Sequence, residues 1–428
     1  MLKAGQTGVG VVETHTLVLD EGVRLDCGAR LRPVTVAYES YGRLNGRRDN
    51  TILVCHALSG GAHAAGCHPG ATKPGWWDTM IGPGRAFDTD RYCVISSNVL
   101  GSCYGTTGPA SADPTGRPLG ARFPVVTIAD MVRTQRLLLD HLGIGSLLAV
   151  AGGSMGGMQA LQWAASYPDS VRSVVALATT WRHSAQQIAF DEVARQAVMT
   201  DPAWKGGDYY ETGGPQAGLA VARMLGHITY LSDPGMTRKF GRRLRGRERL
   251  GYTLDADFEV ESYLHHQGES FVGRFDANSL IYLSKAMDYF DLPASHPTLA
   301  ETCARAGVKF LFLTFSSDWL YPPSQLAEVA ASIREAGGEA AYREIPSDCG
   351  HDAFLLEDAQ QTPLIHAFLE VCASGEDTPA ARPNVERGEG GRPDLESCLV
   401  ARKGGDEALT GARVGRVVSR EIFSPPGC

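Results

Sequence analysis

The chain has 428 residues, 43% of them hydrophobic, and carries 40 basic against 48 acidic side chains, a formal charge of −8. That length is enough for one large α/β domain with an insertion, or for two domains. The acidic balance gives no support to nucleic acid or a membrane surface as partner, and no apolar run reaches the roughly 18 residues that a bilayer span needs.

Residues Met1 to Glu21 mix Lys, Gly and acids and lack the apolar core of a signal peptide. Thr16–Leu19 and Val34–Tyr38 read as an antiparallel entry into a sheet. Asn50–Ala57 is a continuous apolar run, the pattern of a strand buried on both faces. It ends in the turn Leu58–Ser59–Gly60–Gly61. Gly66 to Arg85 reads as loop, Tyr92–Val99 as another buried strand, and Gly101 to Pro124 as a long loop of the functional kind. Thr127 to Leu142 repeats Ile128, Met131, Val132, Leu138 and Leu142 at helical spacing.

Next comes the stretch that organises the chain. Leu147 to Ala151 is an apolar strand, Gly152–Gly153–Ser154–Met155–Gly156 a Gly-x-Ser-x-Gly turn, and Met158 onward a helical pattern up to Pro168. A serine on a sharp strand-to-helix turn is a nucleophile elbow, with small neighbours because the backbone is strained and closely packed. Val171–Ala178 is the following strand. Strands alternating with helices imply a mostly parallel sheet with right-handed crossovers.

The rhythm breaks at Trp181–Arg182–His183. From 181 to 297 the patterns are helical, as in Gln187–Val198 and Ala217–Leu231, and predict an inserted lid. Within it, Arg238, Lys239, Arg242, Arg243, Arg245, Arg247 and Arg249 form a basic run. It reads either as a solvated helix face or as a patch for an anionic cosubstrate such as a nucleotide-phosphate tail. The sheet resumes at Val308–Phe315. A helix over Ser324–Ala336, a strand over Ala340–Ile345 and a final helix over Thr362–Cys372 follow. The expected organisation is therefore a core over 1–180 and 298–374, the lid over 181–297, and a disordered tail over 375–428, where Gly, Pro and charged residues dominate. Ten cysteines without a C-x-x-C pair read as free, mostly buried thiols of a cytoplasmic protein, and no metal is expected.

A serine hydroxyl needs an adjacent base. Asp318 stands at the carboxyl end of one strand and His351 just past the next, in the chain order Ser, Asp, His of an α/β-hydrolase fold. Ser154 is then the nucleophile, His351 the general base and acid, and Asp318 the residue that orients the imidazole. The amides of Met155 and of Leu58, or a close neighbour of Leu58, supply the oxyanion donors. Nothing in this constellation distinguishes water from a bound alcohol or amine as acyl acceptor.

Five stretches carry a more specific likeness: Cys-His-Ala-Leu-Ser-Gly-Gly-Ala-His at 55–63, Gly-Gly-Ser-Met-Gly-Gly-Met-Gln-Ala-Leu-Gln-Trp at 152–163, Ala-Arg-Met-Leu-Gly-His-Ile-Thr-Tyr-Leu-Ser at 222–232, Ser-Asp-Trp-Leu-Tyr-Pro-Pro at 317–323 and Gly-His-Asp-Ala-Phe-Leu at 350–355. Over residues 12 to 372 the chain resembles the homoserine O-acetyltransferases of methionine biosynthesis. The resemblance implies ping-pong transfer of acetyl from acetyl-CoA, as cosubstrate with no further cofactor, to L-homoserine through acetyl-Ser154. It also implies Arg223 and Asp352 as partners of the homoserine carboxylate and ammonium, and a homodimer built through the lid helices. Related enzymes use succinyl-CoA and have an arginine two residues after the triad aspartate. Leu320 stands there in this chain, which favours acetyl. Serine O-acyltransferases and carboxylic-ester hydrolases on the same scaffold remain open alternatives.

Overall fold

The computed structural model describes residues 8–374; the expected tail over 375–428 lies outside the described residues. Strand β1 (His15–Leu19), the two-stranded ribbon β2 (Val23–Arg24) and β3 (Arg30–Leu31), and β4 (Val34–Tyr41) come first. Then follow β5 (Thr51–Cys55), β6 (Cys93–Ser97), α1 (Ile128–His141), β7 (Ala149–Gly153), α2 (Met155–Ser166) and β8 (Ser173–Leu177). Helices α3 (Ala185–Met199), α4 (Gln216–Tyr230), α5 (Asp233–Lys239), α6 (Glu259–Val272), α7 (Ala277–Asp288), α8 (Leu292–Ser295) and α9 (Leu299–Ala306) separate β8 from β9 (Lys309–Phe315). The chain then runs through α10 (Pro323–Glu335), β10 (Glu339–Ile345), α11 (Ala353–Leu356) and α12 (Asp358–Ser374).

Eight strands form one sheet in the order β1-β4-β6-β5-β7-β8-β9-β10. The pairs β1–β4 and β4–β6 are antiparallel, and β6 through β10 are parallel. Every residue of β5, β6, β7 and β8 is buried, because helices or loops cover both faces. Leu53 and Val150 face a core that includes Met131, Trp163 and Phe312, whereas their neighbours Val54 and Ala151 face Trp77, Phe87 and Leu369. This is the mostly parallel α/β-hydrolase sheet expected, with the helical stretch inserted after β8.

Strands β5, β6, β8 and β9 are shorter than their apolar runs, whereas β4 runs on to Tyr41. Thr127 caps α1, its side chain accepting from the Asp130 amide while Asp130 returns a bond to the Thr127 amide. The last helix starts earlier than expected, at Asp358 instead of Thr362; Pro363 lies inside it and not at its first turn. The basic run departs from a helix face. Helix α5 ends at Lys239, and Gly241 and Gly246, at φ 55° and 63°, turn the chain out of helical geometry. Arg242 to Arg249 therefore lie outside any helix, where Arg243 pairs with Glu259 at 2.7 Å and Arg247 with Asp257 at 2.6 Å. All eight described cysteines are free, but only Cys55, Cys93, Cys303 and Cys372 are buried.

Candidate active site

Ser154 joins the buried strand β7 to α2 at φ 57°, ψ −128°, a strained conformation for a residue with a Cβ. The surroundings hold it there. Its amide donates to the Leu177 carbonyl at 3.0 Å, and its carbonyl accepts from the Thr179 hydroxyl at 2.7 Å. A Cβ on Gly156 would stand 2.1 Å from the Cys55 carbonyl oxygen, so this glycine lets α2 lie against the end of β5. Met155 opens the helix, and its amide is one of the first-turn donors without an intrahelical acceptor.

Across the sheet, Leu58 follows β5 and lines the same cavity as Ser154. Its loop is pinned by the fully buried His56, whose Nδ1 donates to the Ala57 carbonyl at 2.7 Å and whose Nε2 accepts from the Val99 amide at 3.0 Å. That pairing sets the tautomer, and burial pushes the His56 pKa down to about 4.

His351 and Asp318, 33 positions apart in sequence, meet with Nδ1 and Oδ2 at 2.8 Å. Both are 3% exposed. The other carboxylate oxygen of Asp318 accepts from the amides of Leu320 and Tyr321 at 3.1 and 2.8 Å. His351 stands in the turn Gly350–Asp352. Gly350, at φ 66°, lets this turn approach the end of α4, where a Cβ would come within 2.6 Å of the Tyr230 carbonyl oxygen. Trp319 donates to the Leu231 carbonyl at 3.0 Å from the aspartate loop. The helical insertion is thus clamped to both loops that carry the His–Asp pair.

Tyr321 was not singled out from the sequence, though it stands in one of the quoted stretches. Its amide holds Asp318, its ring stacks on His351 at 4.9 Å, and its hydroxyl faces Ser154 and bonds His183 Nε2 at 2.8 Å. In this arrangement Ser154 makes no hydrogen bond to His351 among the described contacts. Catalytic bonds of this kind commonly tighten only when substrate binds. Behind Tyr321 lies a buried polar group that sequence reading also missed. Arg195 pairs with Asp288 at 2.6 Å, while His183 Nδ1 stands 3.5 Å from Asp288 and 3.7 Å from Asp191. Burial and the neighbouring Asp288 charge push the Asp191 carboxyl well above its ordinary range. Burial also raises Asp288, but hydrogen bonds and charges from His183 and Arg195 outweigh it and hold that carboxyl low. The only signal in the sequence was the broken rhythm at His183; the partners lie about a hundred positions apart.

Of these groups Leu58, Ser154, His183, Asp191 and Tyr321 line a cavity of about 70 Å³, with Leu320 also in its wall. Arg223 lies on α4 at its edge. Its guanidinium stands over the rings of Phe271 and Tyr230 at 4.7 and 5.6 Å, and its Nε is buried without a hydrogen-bond partner. Asp352 forms no ion pair with Arg223. Burial raises the Asp352 carboxyl, against the pull of His351 and Arg223. Of the expected site residues, Leu58 and Ser154 line the cavity, Asp318 and His351 meet against Tyr321, and Arg223 stands on α4 of the insertion.

A family model for the alpha/beta hydrolase fold matches residues 50–358. The homoserine O-acetyltransferase of Rhodospirillum rubrum is 55% identical over 364 residues, covering 84% of this chain and 93% of the relative. This chain belongs to the homoserine O-acetyltransferase family. Among solved structures, the Bacillus anthracis homoserine O-acetyltransferase superposes with a TM-score of 0.79 at 31% identity, covering 84% of this chain and 98% of that one. Esterase E22 superposes with a TM-score of 0.77, also at 31% identity, covering 84% of this chain and all of its own. The fold is thus shared with one protein named a homoserine O-acetyltransferase and one named an esterase. Among the described residues, no helix is long and apolar enough to cross a membrane.

Proposed function

We propose that the protein transfers an acetyl group from acetyl-CoA to the hydroxyl of L-homoserine by a ping-pong mechanism, giving O-acetyl-L-homoserine and CoA. The single observation that carries the reading is the buried His351–Asp318 pair at 2.8 Å beside the Ser154 elbow, in a chain of this family.

In the first half-reaction His351 takes the proton from the Ser154 hydroxyl as its oxygen attacks the thioester carbonyl. Charge gathers on the carbonyl oxygen, to which the amides of Leu58 and Met155 donate. His351 then returns the proton to the departing CoA sulfur, and acetyl-Ser154 remains. In the second half-reaction His351 takes the proton of the homoserine hydroxyl, whose oxygen attacks the ester carbonyl. Collapse breaks the bond to Ser154 Oγ, which recovers the proton. Asp318 keeps Nδ1 protonated and stabilises the imidazolium. Removing one oxyanion donor would cost on the order of 3 kcal/mol of transition-state stabilisation.

Arg223 offers a guanidinium with an unpaired Nε to the homoserine carboxylate. Asp352 faces the ammonium, whose charge offsets the burial that raises this carboxyl. Leu320 in the cavity wall gives the second carboxylate of a succinyl group no partner, which supports acetyl as the acyl group. The segment 181–297 is the lid over this site and the surface through which two copies associate in the cytoplasm.

The likeness to esterase E22 keeps hydrolysis as a second reading. A product assay separates the two. The chain is incubated with acetyl-CoA or succinyl-CoA against homoserine, serine and water, with thiol release and product mass followed. Rapid CoA release that requires homoserine and acetyl-CoA supports the transferase. Equal release into water makes it a hydrolase, and preference for serine or succinyl-CoA reassigns the substrates.

A further inference from the structure

Outside the residues that line the cavity lies a second cluster with ligand chemistry. We infer that Glu39, His63 and His68 form a binding site for one borderline divalent transition metal of the zinc class. Glu39 comes from β4 and its side chain is fully buried. His63 and His68 come from the segment that follows the Leu58–Gly61 turn. The His63 Nδ1 stands 3.1 Å from one Glu39 oxygen and the His68 Nε2 2.8 Å from the other. The two rings lie against each other with centroids 3.9 Å apart. All three ligand atoms lie within 4.8 Å of one another.

Three features fit a metal better than a bare hydrogen-bonded carboxylate. The donor set is two imidazole nitrogens and a carboxylate oxygen, which suits zinc or cobalt and not the all-oxygen preference of calcium or magnesium. The carboxylate already has an outer support. The Tyr41 hydroxyl donates to it at 2.8 Å and is itself fixed by the amides of Ala64 and Ala65 at 2.8 and 3.2 Å. The Thr14 hydroxyl, 2.7 Å from Glu39 and 3.3 Å from His68, borders the fourth position, which it or water would fill.

Binding also requires little rearrangement. Each histidine now donates to Glu39 through the nitrogen that would hold the ion. Its other ring nitrogen has no partner among the described residues, and the side chains are 24% and 39% exposed. Each proton can therefore move to the outer nitrogen and be solvated there, and the freed lone pairs converge on the ion. No coordinating group has to be brought from a distance, and the partly exposed rings leave a path for entry. An occupied site would cross-link β4 to the segment just beyond Leu58 and so stiffen the loop that carries that amide.

The test uses the full chain, treated with chelator and then titrated with Co²⁺ and Zn²⁺. The expected result is one equivalent per chain, with cobalt bands of low-symmetry nitrogen–oxygen coordination and no thiolate-to-cobalt charge transfer, which separates this site from the free cysteines. Zinc displaces the cobalt and raises the melting temperature by a few degrees. His68→Gln and His63→Gln, made separately so that one folded variant suffices, are expected to weaken binding by about 100-fold. Circular dichroism of the metal-free variants checks their fold. Failure of the parent to take up an equivalent, thiolate bands in its spectrum, or undiminished binding by a folded variant overturns the site. None of these readouts depends on acyl transfer.

Discussion

The cavity has two walls, and they are built differently. On the sheet side Ser154, Asp318 and His351 each stand a few residues past the end of a parallel strand, β7, β9 or β10. Neighbouring amides and one short hydrogen bond hold them. On the helix side His183 stands just before α3, Asp191 and Arg195 within it, Asp288 at the end of α7, and Arg223 on α4. There polar side chains pack on one another: Arg195 pairs with the distant Asp288, His183 faces both Asp191 and Asp288, and Arg223 has no ion pair among the described residues. Strand ends are fixed by backbone pairing, so a loop just beyond them inherits sub-ångström placement. Helices packed by side chains can shift or be replaced as a group.

The largest expected effect strikes the sheet wall. Ser154→Ala should abolish the acetyl-enzyme seen by intact mass spectrometry and lower turnover by at least about 10⁴-fold. An acetyl adduct persisting elsewhere would move the nucleophile. Next, Arg223→Ala tests whether the helix wall acts on the acceptor alone. Loss of a charge-assisted pairing should reduce kcat/KM for homoserine by about 100-fold and leave acylation by acetyl-CoA within about twofold. Equal losses in the two half-reactions would dissolve the distinction between the walls.

Two stability measurements sharpen it further. His56 supports the sheet-side loop, and its folded pKa, about 4, lies below the ordinary value of 6.5. Between those values the unfolded chain binds the extra proton, so stability is complete above pH 6.5 and is lost as pH falls toward 4. The loss is about 3 kcal/mol. Denaturant melts at pH 7 and pH 4 should show this slope, and His56→Gln should flatten it. On the helix side the sign reverses. Burial beside the Asp288 charge raises the Asp191 carboxyl above its ordinary range, so stability falls as pH rises above that range. Asp191→Asn, which needs no proton, should be more stable than the parent at pH 7 by about 1 kcal/mol and equal to it near pH 4. A loss at pH 7 would show that Asp191 is ionised.

The sheet wall was legible because its signals are local. Gly152-x-Ser154-x-Gly156 between an apolar strand and a helical pattern needs no distant information, and neither does Asp318 or His351 at the end of its strand. Arg223 and Asp352 were reachable only through the family likeness, since nothing local marks an arginine on a helix as a ligand. Tyr321 was hidden for a different reason. Its three roles are carried by its amide, its ring face and its hydroxyl, and only folding brings these to Asp318, His351 and Ser154. The basic run illustrates the converse, where a charge pattern suggested one helix face until two positive-φ glycines broke it.

By itself the sequence determined the succession of the core strands, the elbow and the strand ends at which Ser154, Asp318 and His351 stand, because hydrophobic period and turn chemistry act over a few residues. Tertiary structure alone decided the cavity wall, the burial that raises the Asp191 carboxyl and the meeting of Glu39 with His63 and His68. Those depend on which side chains are removed from water together, a property of packing between segments 20 to 100 positions apart and not of any one stretch.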